Sequence, residues 1–189
     1  MGLTIRAKAD TVATFRFISV YLVEMLARWV PATPELEAKA VFGRHIWELA
    51  QHADALGKRT AELRTALHSS RRPTAAYAQA LEACASATGT AERLDGFYEA
   101  LLPDLEARYR RYLEETDHLL DEPTVRIIER VLPDLARMHA DAARVRAERP
   151  DLGRAASAWT GRIAQLAGAH AGFVDFRPPA EPGGGEEQA

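Results

Sequence analysis

The chain has 189 residues, a net charge of −3 and 47% hydrophobic residues, enough for one domain with a sizeable core. No long block of one charge sign occurs, which argues against a dedicated nucleic-acid or anionic-membrane surface. The single cysteine, Cys84, excludes an intramolecular disulfide and a cysteine-based metal site.

There is no signal-peptide organisation at the first residues, and Arg16, Glu24 and Arg28 interrupt the most apolar run. A cytoplasmic protein without a membrane span is expected. A first helix is predicted over about 10–29, on Val12, Phe15, Ile18, Leu22, Met25 and Trp29 at spacings of three and four. Glu24 falls in line with Phe17 and Tyr21 on the same largely apolar surface.

Pro31 should end that helix, with Thr33 as N-cap and Pro34 at the first position of a second helix reaching about residue 67. So short a connection predicts an antiparallel hairpin. Residues 69–88 read as a long connection with a small alanine-rich helix over 74–87, able to cross the length of the molecule. A third helix is expected over 91–120, with Leu94, Phe97, Leu101, Leu105, Tyr112 and Leu119 inward.

Asp121-Glu-Pro-Thr124 suits the start of a fourth helix, with Asp121 able to cap. That helix should run to about 149 on a stripe of Val125, Ile128, Leu132, Leu135, His139 and Ala142, kinked or restarted at Pro133. A fifth helix over 154–172 is expected outside the others, and 177–189 has the composition of a disordered tail. No strand pattern is visible, so the reading is one all-α domain over 1–176.

Residues with chemistry concentrate between Phe42 and Leu56, where His45, Glu48 and His52 share one helical face with Phe42 and Leu49. Polar groups facing a core need partners. The blander reading is a network whose members satisfy one another. His68, His118 and His170 read as exposed or structural. There is no Gly-rich phosphate loop, no nucleophile elbow and no cysteine nucleophile beside a histidine.

Two antiparallel hairpins joined by a long crossover is the ferritin-like topology. The run His45-Ile-Trp-Glu-Leu-Ala-Gln-His52-Ala-Asp54 resembles the second helix of that superfamily, and Asp121 through His139 resembles its fourth. The resemblance covers about 10–149. It implies a four-helix bundle with a long crossover between helices 2 and 3 and an extra C-terminal helix. It also implies a di-iron-type site, built from one Glu on each of two helices and Glu-x-x-His on each of the other two.

Aligned on His52 and His139, however, the motif glutamates are replaced by Leu49 and Ala136. The substitute ligand set is Glu24, His45, Glu48, His52 and His139, with Glu106 from the third helix; Glu129 and Asp134 are further acids on the fourth. The first functional reading is a non-haem iron or manganese oxidoreductase with one or two ions, acting on a small molecule, with Glu48, His52 and His139 in the chemistry. The second is a metal-free ferritin-like protein that binds a small molecule, or performs acid–base catalysis, with the same residues. The third is an interaction protein, a homodimer through the fifth helix.

Overall fold

The computed structural model describes residues 3–168 and 172–176. His170 and the tail at 177–189 lie outside them. The described chain is all-α, its one β-type contact an isolated bridge between Pro73 and Val174.

Helix α1 spans Ile5–Ala32. It starts earlier than its apolar periodicity because Thr4 caps it, accepting a hydrogen bond from the Ala7 N–H at 3.2 Å. Pro31 sits within the last turn. Thr33 closes α1 instead of opening the next helix, its hydroxyl donating to the Trp29 carbonyl at 2.8 Å. Helix α2 then runs from Leu36 to Glu62. It stops short of residue 67 because the chain turns through left-handed backbone at Arg64 (φ 61°) and His68 (φ 56°). The connection contains α3, Ala75–Ala85.

The third expected helix is composite. Helix α4, Thr90–Leu94, leads into a π-helical segment, Asp95–Leu101, and then α5, Leu102–Glu115. Pro103 in the first turn of α5 has no N–H to give back to the preceding turn. A single π insertion of this kind shifts the register of the side chains around it. Helix α6, Glu122–Glu148, continues through Pro133 rather than restarting there. Pro133 lies on the exposed face, where water can meet the orphaned carbonyl. Helix α7, Ser157–Gly168, packs against α3 and the π segment. Gly96 permits that approach: a Cβ there would stand 2.7 Å from the Trp159 ring.

Contacts fix how the long helices run. α1 lies along α2, with Trp29 beside Phe42, and Phe15 stacks on Tyr109 of α5 at 4.1 Å between ring centroids. His45, His52 and Arg59 of α2 meet Asp141, Asp134 and Asp121 in that order, so α2 and α6 are antiparallel. Tyr112 meets Asp121 while Glu106 meets His139, so α5 and α6 are antiparallel as well. These helices and the π segment share one core, in which Phe15, Ile18, Met25, Phe42, Leu56, Phe97, Ile128 and Leu135 have no measurable exposure.

One end of this assembly is closed by a buried ion. Asp121 is wholly buried, and its side chain does not cap α6 as expected. It accepts instead from Arg59 Nη2 at 2.8 Å and from the hydroxyls of Tyr112, Thr116 and Thr124 at 2.7–2.8 Å. Lys8 Nζ stands 3.7 Å away. No helix among the described residues is long and apolar enough to cross a membrane.

A candidate site on the seam between two helices

His45, Glu48 and His52 do share one face of α2, and the face they share meets α6. His45 is wholly buried. Its Nδ1 lies 2.7 Å from the Tyr98 hydroxyl and its Nε2 lies 3.3 Å from Asp141 Oδ2. A carboxylate is an acceptor only, which assigns the proton to Nε2 and makes Nδ1 the acceptor of the Tyr98 O–H. Burial holds the imidazole below the ordinary histidine range, with Asp141 pulling the other way. Burial, together with the charges of Asp141 and Glu48, pushes the Tyr98 phenol well above its ordinary value. The resting triad is therefore neutral tyrosine, neutral histidine and ionised aspartate.

Asp141 carries more than His45. Arg44 Nη1 donates to its Oδ2 at 2.9 Å and Arg144 Nη2 to its Oδ1 at 2.8 Å. Burial raises the carboxyl, but the donors outweigh it and hold it below the usual carboxylate range.

Two turns along, His52 Nε2 lies 2.8 Å from Asp134 Oδ2. Burial lowers this imidazole while Asp134 opposes the shift, so it is poised as a neutral base with an oriented partner. Asp134 is lowered too: its burial is outweighed by bonds from His52 and Arg137.

Between the histidines stands Glu48. Its Oε1 accepts from Arg137 Nε at 3.1 Å and from Nη2 at 3.0 Å. Arg137 also donates to Asp134 Oδ1 and, about half exposed, lies across the outer side of the seam. The second carboxylate oxygen, Oε2, is buried and has no hydrogen-bond partner. A buried acceptor left unmet in the interior carries a desolvation penalty of about 1–3 kcal/mol. It is the open position of the seam.

The expected six-residue ligand set does not assemble. Glu24 is on the exposed side of α1, because the buried stripe of that helix is Ile18, Leu22, Met25, Leu26 and Trp29. The core-stripe position expected for His139 is taken by Met138, which is wholly buried. His139 is partly exposed, with Nε2 3.7 Å from Glu106 Oε2. Five residues at 100° each turn it about 140° from Asp134, the contact of His52, so it faces α5 and the π segment. There it borders a separate cavity with Tyr98 and Arg146.

These positions bear directly on a metal. Both nitrogens of His45 are engaged, one carboxylate oxygen of Glu48 is held by Arg137, and His52 is paired with Asp134. Among the described residues, no group of three or more His, Cys, Asp or Glu side chains is arranged to hold an ion. The donor set present does not fit a mono- or di-nuclear centre, which needs several converging ligands.

Sequence reasoning named three of the seam's residues and raised Asp134 only as a spare acid. Asp141, Tyr98 and Arg137 went unnoticed as partners. A signal existed in the spacing: Asp134, Arg137, Asp141 and Arg144 recur at three and four on α6, a polar stripe beside its apolar one. Compared with known proteins, the chain matches no family model, no curated protein and no solved structure.

Proposed function

We propose that this is a ferritin-like helical protein that works without a metal, binding a small molecule in the α2–α6 seam and performing acid–base chemistry on it. The bundle assignment is supported by helix direction. α1 and α6 run one way and α2 and α4–α5 the other, with the long stretch 63–89 linking two parallel helices, the pattern of a bundle with one crossover.

The observation that carries the site is the unpartnered, buried Glu48 Oε2. It asks for a hydrogen-bond donor, so the ligand presents an N–H or O–H group to Glu48. His52, four residues further on the same face, is the general base for a proton on that ligand, and Asp134 stabilises the imidazolium formed. Arg137 is the part of the seam that must move for entry, since it is about half exposed and lies directly over Glu48 and Asp134.

The test is a panel of small amines, alcohols and amides titrated into the protein while the side-chain resonances of Glu48 and His52 are followed by NMR. At least one class should shift both resonances saturably, and Glu48→Gln should weaken that binding about tenfold or more. Binding that survives Glu48→Gln, or a panel that moves neither resonance, overturns the proposal.

A further inference from the structure

We propose a second, separate site: the cavity between α1, α2 and the 63–74 connection takes a small aliphatic carboxylate. The cavity has a volume of about 270 Å³. One wall is apolar, made by Val20 and Val23 of α1 and Ala50 and Ala53 of α2. The polar groups on it are Arg16, His68 and Asp54.

Arg16 is the unusual member. It is half-buried, its Nε is buried without a partner, and among the described residues its hydrogen bond is from Nη1 to the Ser70 hydroxyl. Among the described residues it forms no ion pair. Of the more deeply buried arginines, Arg59, Arg108 and Arg146 pair with an aspartate and Arg93 is met by the Ala32 and Thr88 carbonyls and the Thr33 hydroxyl, whereas Arg16 has only the Ser70 hydroxyl among the described residues. A half-buried guanidinium without a carboxylate is a charge awaiting a counter-charge.

The chain is also shaped to put a second nitrogen there. At Gly57 a Cβ would lie 2.1 Å from His68 Nδ1 and 2.9 Å from Arg16 Nε, so the His68 ring fills the space that glycine leaves and sits beside Arg16. His68 reaches it from left-handed backbone, at φ 56°, with its N–H bonded to the Gly57 carbonyl at 2.9 Å. Asp54 also lines the cavity; Lys58 donates to its carboxylate at 2.7 Å and, with a smaller contribution from His68, holds it below the usual range.

The Arg16 guanidinium and the His68 ring beside four small aliphatic side chains suit a carboxylate with a short branched tail. A hydrated phosphate would leave the apolar wall unused. A neutral acceptor would leave the guanidinium without its counter-charge.

The probes are isovalerate, its neutral amide and inorganic phosphate, titrated into the full chain by calorimetry. Isovalerate should bind at least about tenfold more tightly than either of the others. Arg16→Met, which keeps the aliphatic stem, should weaken isovalerate about tenfold or more, with the helical circular dichroism unchanged. Ala50→Leu leaves Arg16 in place, narrows the apolar wall and should weaken binding as well. If Arg16→Met does not fold, the Ala50→Leu result decides. The proposal fails if isovalerate does not bind, if the amide or phosphate binds as tightly, or if neither substitution changes the affinity. The Glu48→Gln variant should leave this binding untouched, which separates the two sites.

Discussion

Replacing Asp121 by alanine is expected to lower the unfolding free energy by about 3–5 kcal/mol, read from urea denaturation at pH 7. The carboxylate is wholly buried and is the acceptor for Arg59, Tyr112, Thr116 and Thr124. Removing it leaves a buried guanidinium whose remaining carboxylate is the exposed Glu62, and three hydroxyls without their acceptor. α2, α5 and α6 all end at this point, so the loss is not local to one helix. The substitution should also change the acid limb of the stability curve. Burial raises the Asp121 carboxyl, but the four donors outweigh it and hold the folded value below the usual range. A carboxylate depressed in the folded state contributes stability that is complete above its unfolded value, about 3.9, and is lost as pH falls through the folded one. Asp121→Ala should therefore flatten the decline below about pH 4.

His45→Ala should cost about 3 kcal/mol or more. Deleting the ring opens a cavity at a position with no solvent exposure, and leaves the buried Tyr98 hydroxyl without its acceptor. Adding Tyr98→Phe should recover part of the loss, because an unmet buried hydroxyl costs more than a missing pair. The double mutant should therefore be more stable than the sum of the single effects, with a coupling of about 0.5–3 kcal/mol. A purely additive outcome would mean that the hydrogen bond adds nothing. The pH dependence has a defined sign here as well. Burial depresses the folded value of His45, so its contribution is present above the unfolded value of about 6.5 and is lost as pH falls through the folded one. His52 is depressed for the same reason, so His45→Ala should reduce the slope below pH 6.5 without abolishing it.

The helices were legible because apolar residues at spacings of three and four mark one face of a helix wherever it lies in the chain. Their ends were less so. Thr33 reads equally well as the end of one helix or the start of the next, and only the bond to Trp29 decides it. The π segment was hidden because no local pattern encodes it: Gly96 acquires its meaning from Trp159, more than 60 residues away.

The same limit governs the seam. That His45, Glu48 and His52 share a face follows from α2 alone. That they meet Asp141, Arg137 and Asp134 depends on the register of α2 against α6, some 80–100 residues apart in sequence. His139 falls outside the core because the stripe through Leu132, Leu135 and His139 is only a fraction of a turn from the buried one through Val131, Leu135 and Met138. A small rotation of one helix exchanges a ligand for a core side chain.

The most direct measurement is the metal content of the protein purified from iron- and manganese-rich medium, by mass spectrometry, with His52→Ala alongside. A seam whose donors are already closed by hydrogen bonds should carry far less than one ion per chain, and His52→Ala should not change the figure. One or more ions of iron or manganese per chain, lost on His52→Ala, would show that Glu48 and His52 hold a metal and would contradict the acid–base reading of the seam.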